Sequence, residues 1–168
     1  SIGMGLDQRI GDRFLRAGPA YGGSCFPKDT KALIDVAEKY KTDLSIIKSV
    51  IKSNNQRKIT LTKRIDKILN NRLKNKNITF LGVTFKPNTD DMREASSIPM
   101  INYLNKKGSK IRYYDPSGRK KELDKLKNVK FYSSISSACI KSDLIIIHTE
   151  WNAFKLLDFK KLVKKKNF

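Results

Sequence analysis

The sequence predicts an α/β chain in two parts, a helical stretch followed by an open parallel sheet. Three observations carry that reading. Apolar residues recur at helical spacing from Leu44 to Leu69, strands and helices alternate beyond residue 77, and an Asn/Lys-rich segment, Asn70 to Asn77, separates the two patterns. Residues 1–72 are expected to form the first domain and residues 73–168 the second. Alternation of short apolar runs with helical periods argues right-handed crossovers and a parallel sheet.

In order along the chain, Met4, Leu6, Ile10, Phe14 and Leu15 are spaced for the end of a helix and a following turn, broken by Gly11 and Gly18. Gly18 to Thr30 reads G-P-A-Y-G-G-S-C-F-P-K-D-T. Pro27 suits a first helical turn, having no N–H to waste there and a preset φ. Cys25 is therefore expected at or just before a helix N-terminus, where unpaired N–H groups favour a thiolate. Gly22 and Gly23 permit a tight turn and close approach. A partly ionic thiol on such a loop is what a covalent nucleophile requires.

A helix is predicted from Lys28 to about Lys41, then a break at Thr42-Asp43 with N-cap character. The next helix, through Ile47, Ile51, Ile59, Leu61, Ile65 and Ile68, spans roughly 28 residues, about 40 Å. Such length suits a brace between domains or a subunit interface. Asn54, Asn55 and Gln56 are polar at its middle. Ile78–Phe85 is the first predicted strand, nearly continuous and apolar as in buried parallel sheets. Helical spacing returns at Ile98, Met100, Ile101 and Leu104 and ends at Gly108. Lys110–Tyr114 is the second strand, stopped by Asp115-Pro116-Ser117-Gly118, and Val129–Tyr132 is the third. A small helix follows through Ile135, Ala138 and Ile140, then a wholly apolar fourth strand, Leu144–His148. One final helix is predicted to carry Trp151, Phe154, Leu156, Leu157, Phe159 and Leu162. Ligands of such sheets sit beyond the carboxyl ends of the strands. The loop after the first strand, F-K-P-N-T-D-D-M-R-E, puts both charge signs there.

Composition narrows the classes. Cys25 and Cys139 stand too far apart in sequence for a disulfide framework or a metal-ligand spacing, which suits a reducing cytoplasm. No apolar run approaches the roughly 20 residues that span a bilayer, and the amino end does not read as a signal peptide. A formal net charge of +20 invites a nucleic-acid reading. Lysine outnumbers arginine about threefold, however, and the basic residues are spread along the chain with one short run at Lys164-Lys165-Lys166. No nucleic-acid-binding signature accompanies them. A solvated lysine-rich surface, weakly attractive to polyanions at low salt, is the expectation.

G-G-S-C-F-P-K-D-T closely resembles the catalytic-cysteine motif of the UDP-glucose 6-dehydrogenase family of nucleotide-sugar dehydrogenases, and F-K-P-N-T-D-D-M-R-E resembles a second signature of that family. The resemblance covers essentially the whole chain but matches only the carboxyl-side half or so of the family's length, so a fragment truncated at both ends is expected. It implies a helical remnant of a central domain with a long spine helix, then a truncated Rossmann-like open parallel sheet that binds the UDP-sugar. It further implies Cys25 as nucleophile with Asp29 as an acid–base helper, NAD as cofactor contacted by Lys28 and Arg93, and a homodimer formed through the long helix. Substrate contacts are carried over to Arg9 (within one subunit or across a subunit boundary), Phe14, Leu15, Arg16, Ala17, Gly18, Gly22 and Lys86. No G-x-G-x-x-G follows a strand, so the chain alone is expected to be inactive. The F-P-K-D-T tail looks more like UDP-glucose oxidation than oxidation of GDP-mannose or N-acetylated sugars. A non-catalytic nucleotide-sugar or polyanion binding module is the alternative. His148 and Trp151, after the fourth strand, could line the same ligand cleft, but a loop histidine and a packed aromatic are the expectation, and Cys139, on a small apolar helix face, is expected to be inert.

Overall fold

A computed structural model of the chain describes residues 1–12, 15 and 18–162. The helical part holds a four-residue α1 (Ile2–Gly5), α2 (Cys25–Lys39) and the 24-residue α3 (Ser45–Ile68). The sheet part holds β1 (Asn77–Leu81), α4 (Ser97–Lys106), β2 (Lys110–Tyr114), β3 (Val129–Phe131), α5 (Ile135–Cys139), β4 (Leu144–Ile147) and α6 (Phe159–Leu162). A 3-10 turn at Lys121–Leu123 has no counterpart in the sequence reading.

Three helices end in the same way. After α2 the Thr42 N–H reaches the Ala37 carbonyl at 2.8 Å, after α3 the Asn71 N–H reaches Asp66 at 2.8 Å, and after α4 the Ser109 N–H reaches Leu104 at 3.0 Å. Each bond needs a left-handed residue just before it, and Lys41 (φ 52°), Asn70 (φ 49°) and Gly108 (φ 82°) supply it. Only the third uses glycine; the other two stops were signalled in the sequence by Thr42-Asp43 and by the Asn/Lys-rich segment from Asn70.

The four strands are all parallel, in the order β3-β2-β1-β4. Alternation sorts their side chains by face. Ile78 and Phe80 of β1 join Ile111 and Tyr113 of β2 against Ile101 and Leu104 of α4 and Ile65 of α3. Leu81 packs on the other face with Cys139 of α5 and Phe154. The buried Thr79 hydroxyl donates to the Ala138 carbonyl at 2.8 Å and pairs with Ser142 Oγ, so its polarity is satisfied. Because β2 and β3 build outward on one side of β1 and β4 on the other, the strand order reverses between β1 and β4. A parallel sheet opens a crevice at that point.

Two predicted elements differ. The first strand stops at Leu81, not Phe85, because Gly82 turns the chain at φ 75° and lies so close to Thr149 that a Cβ there would sit 2.6 Å from that side chain. The single terminal helix is instead a 3-10 turn (Asn152–Phe154) and α6, separated where Asp158 starts a new helix by accepting from the Lys161 N–H at 3.3 Å. Smaller shifts place the start of α2 at Cys25 and shorten α3 from the expected 28 residues.

Candidate functional site

Cys25 is the first residue of α2, exposed, with Ser24 at the N-cap and its Sγ 3.6 Å from Ser24 Oγ. Pro27 is buried in the first turn, where it sacrifices no hydrogen bond. Phe26 meets Tyr21 edge-on at 4.8 Å between ring centres, bracing the loop across the two glycines. Asp29 lies one turn beyond Cys25 and pairs with Lys28 at 3.4 Å, both exposed.

The cysteine loop rests on the loop that follows β1. The Gly23 N–H donates to the Arg93 carbonyl at 2.8 Å. A Cβ on Gly22 would stand 2.5 Å from the Glu94 carbonyl oxygen, and one on Gly23, itself at φ 85°, 2.8 Å from the Phe85 ring. Both glycines are therefore required by the contact itself. The two signatures, some sixty residues apart in sequence, form one surface. Glu94 reinforces it by pairing with Lys31 of α2 at 3.6 Å and Lys58 of α3 at 3.3 Å. Burial works to raise the Glu94 carboxyl, but the Lys58 hydrogen bond and both lysine charges hold it below its ordinary value.

A cleft opens on each side of this seam. One, of about 450 Å³, lies at the β1/β4 crevice and is walled by Gly18, Ala20, Arg57, Lys86, His148 and Glu150. The other, of about 590 Å³, is walled by Gly23, Ser24, Lys28, Lys31, Arg93 and Glu94. Lys86 stands 5.4 Å over the Phe85 ring. Arg93 forks onto Asp91, with Nε at 3.0 Å and Nη2 at 2.8 Å, and that hydrogen bond draws the Asp91 carboxyl below the usual carboxylate range. The same pairing raises Arg93, with the nearby Cys25 a lesser contributor.

Of the residues singled out from sequence, Gly18, Gly22, Lys28, Lys86 and Arg93 gather along this seam and its clefts, Cys25 follows Ser24 at its edge without lining either cleft, and Asp29 is exposed and outside both cleft walls. Arg9 does not: it is exposed and held by Asp7 at 2.7 Å. Leu15 is half-buried and outside both cleft walls. Phe14, Arg16 and Ala17 lie outside the described residues. Cys139 is buried, and burial pushes its thiol up to about 11.

Four residues that sequence reasoning gave no role belong to the site. The Asn54 amide donates to the Tyr21 carbonyl at 3.1 Å and accepts from the Tyr21 N–H at 2.9 Å. Arg57 Nε donates to the Gly18 carbonyl at 3.1 Å. Asp115, buried at the end of β2, accepts from the Val83 N–H at 2.8 Å and the Thr84 N–H at 3.4 Å. An acid at that strand end binds ribose in dinucleotide folds, but here it is spent on the backbone of the β1 loop. His148 is buried with its Nδ1 3.1 Å from Thr149 Oγ1 and its Nε2 2.8 Å from Ser96 Oγ. The Thr149 hydroxyl proton is already given to the Thr84 carbonyl at 2.7 Å. Nδ1 must then donate to Thr149, leaving Nε2 to accept from Ser96. Burial lowers the ring to about 4, with Asp115 opposing, so it is neutral near pH 7. Only the position of His148 after an apolar strand signalled this in sequence; the other partners are 31 to 39 residues away.

Residues 79–168 match the UDP binding domain of the UDP-glucose/GDP-mannose dehydrogenase family, and residues 1–56 match its central domain. The UDP-glucose 6-dehydrogenase of Rickettsia typhi is 46% identical over 165 residues, covering 96% of this chain and 38% of that protein. That of Bacillus subtilis is 46% identical over 160 residues, covering 92% and 35%. A UDP-glucose dehydrogenase structure from Pyrobaculum islandicum superposes with a TM-score of 0.80 at 31% identity, covering 94% of this chain and 36% of that one. The GDP-mannose dehydrogenase of Pseudomonas aeruginosa shares the fold, with a TM-score of 0.71 at 24% identity over 92% of this chain and 39% of that one. The chain thus spans little more than a third of the length of the curated relatives it matches.

Proposed function

Because the chain belongs to the UDP-glucose/GDP-mannose dehydrogenase family, we propose that it supplies the nucleophile and the UDP-sugar site of a dehydrogenase that oxidises UDP-glucose to UDP-glucuronate. The observation that carries this reading is the seam itself, the Gly23 N–H on the Arg93 carbonyl at 2.8 Å, which joins the cysteine loop to the charged loop at the sheet's crevice. UDP-glucose is favoured over GDP-mannose or N-acetylated sugars by the names of the relatives at 36% to 46% identity.

The sugar lies with its C6 toward Cys25 and its diphosphate toward Lys86, with Gly18 and Gly22 letting it approach the backbone. The family resemblance adds Arg9, Phe14, Leu15, Arg16 and Ala17 as further sugar contacts, although in this chain Arg9 is held by Asp7 and Leu15 stands outside both cleft walls. The Lys28 and Arg93 edge beside Cys25 fits a phosphate-bearing cofactor, and these two residues would hold NAD. The cofactor would supply the oxidising power, two NAD+ in turn each accepting one hydride, so that the C6 alcohol passes through an aldehyde to the carboxylate level. Cys25 Sγ, as thiolate, adds to the aldehyde carbon, and the carbonyl electron pair moves to oxygen, which takes a proton. Oxidation of that thiohemiacetal leaves a thioester. Water then adds to the acyl carbon, Asp29 takes its proton, and Sγ departs as thiolate.

Apolar side chains left exposed on α2 and α3 (Val36, Ile46, Val50 and Ile59) support a homodimer through these helices. A cytoplasmic setting suits the free thiols.

In the assembled enzyme Cys25→Ser should abolish acid formation from UDP-glucose; full conversion to the acid by that variant rules out the covalent role. The 168-residue chain by itself, with no glycine-rich dinucleotide loop in its sequence, should bind UDP-glucose without producing NADH. The net charge of +20 favours a second reading, a polyanion-binding module. Calorimetry at about 0.15 M salt separates the two, since a DNA signal collapses with salt and a UDP-glucose signal persists.

A further inference from the structure

Asn54 and Arg57 stand one turn apart on α3, and both grip the main chain of the cysteine loop. Asn54 closes two hydrogen bonds on Tyr21, at 2.9 and 3.1 Å, four residues before the thiol. Arg57 holds the Gly18 carbonyl through Nε at 3.1 Å, the one hydrogen bond it makes among the described residues. The same arginine walls the β1/β4 cleft together with Lys86. A guanidinium carries five N–H donors in a planar fork, so one bond to a carbonyl leaves four for an anion. Glu150 is the carboxylate on that wall, against two cations.

We propose that Arg57 binds a phosphate of the nucleotide diphosphate and, through its hold on Gly18, transmits that binding to the loop that delivers Cys25, with Asn54 as the positioning residue that keeps the loop on α3. The proposal rests on reading the cleft as the nucleotide-sugar site. A phosphate on the fork fixes the guanidinium in one orientation, and a fixed guanidinium holds Gly18 in one place. The α3 helix thereby becomes the rigid member to which ligand and nucleophile are both referred.

The test uses the 168-residue chain with UDP as the probe, following binding by calorimetry and Cys25 by its alkylation rate with iodoacetamide. Cys139, buried with its thiol pushed up to about 11, does not contribute to that rate. In the unaltered chain saturating UDP should change the alkylation rate severalfold. Arg57→Gln should weaken UDP roughly tenfold, the value of one charge-assisted hydrogen-bonded contact, and should remove the effect of saturating UDP on alkylation. Arg57→Lys, which keeps the charge and loses the fork, should recover affinity but not the coupling. Asn54→Ala should alter alkylation without UDP and leave UDP affinity within about twofold, while thermal melting checks that each variant is folded.

Unaltered affinity and coupling in Arg57→Gln, beside normal binding by the parent chain, overturns the proposal alone. Failure of the parent chain to bind UDP overturns the substrate reading and the phosphate role with it. The Asn54→Ala alkylation rate then still decides the clasp: an unchanged rate removes that too.

Discussion

The two parts of this chain bury their apolar residues differently. In the sheet part, Ile78, Phe80, Ile101 and Leu104 are wholly inaccessible, sealed between the strands and α3 and α4. In the helical part, residues of equal apolar character and equally regular spacing stay in contact with solvent: Val36 is 53% exposed and Ile46 77%. The sheet closes its core with α4 and with the end of α3, where Ile65 packs into it. The cysteine loop, by contrast, rests on the sheet part through a few polar bonds and two glycines. The chemistry therefore sits on the seam between a dry region and an open one, where small shifts of a loop are cheap.

The same truncation in the two parts tests that contrast most strongly. Phe80→Ala should cost about 3–5 kcal/mol and lower the melting temperature of the sheet part steeply, as large-to-small changes in closed cores do. Val36→Ala should change the stability of the monomeric chain by no more than about 0.5 kcal/mol. Equal losses in a denaturant titration would erase the distinction between the two parts.

The seam itself comes next. Gly22→Ala places a Cβ against the Glu94 carbonyl oxygen, where the nearest atom is 2.5 Å away and belongs to the backbone, so the loops must separate. Overpacking of this kind costs about 1–3 kcal/mol, and Cys25 should become more reactive to alkylation as its loop lifts. An unchanged melting curve with unchanged thiol reactivity would show that the loops do not rely on this contact.

Sequence reading recovered most of the fold because apolar period reports which face of an element is buried. β2 is found at its expected ends, and α4 stops at the expected glycine. The terminal helix was misread for the same reason: Trp151, Phe154, Leu157 and Phe159 keep helical spacing while the chain is a 3-10 turn followed by a newly capped α6. The cysteine loop and the charged loop were visible as motifs, since each compresses its chemistry into consecutive residues. Asn54 and Arg57 were not. Asn54 showed only as a polar interruption in an apolar helix, and its meaning depends on a loop 33 residues upstream that sequence spacing does not reveal.

His148 sharpens the comparison through pH. Its folded value, pushed to about 4 by burial, lies below the ordinary 6.5 of the unfolded chain. Between those values the unfolded chain binds the extra proton, so folding loses stability as pH falls through that window. The loss from this ring alone should be on the order of 2 kcal/mol between pH 7 and pH 5, before most carboxylates titrate. His148→Gln should flatten that slope in denaturant titrations at the two pH values. A slope that survives the substitution assigns the pH dependence to other groups.

The smallest effect belongs to Glu94, the carboxylate that ties α2, α3 and the charged loop together. Its folded value is lowered from 4.5, so its contribution is present above about pH 4.5 and fades as pH falls below it, opposite in cause to His148 though alike in direction. Glu94 remains 46% exposed, and solvent screens its pairs with Lys31 and Lys58. Glu94→Gln should therefore cost less than about 1 kcal/mol at pH 7, and less again at high salt. A loss as large as that of Gly22→Ala would mean that charge, more than backbone fit, holds the nucleophile's loop to the sheet.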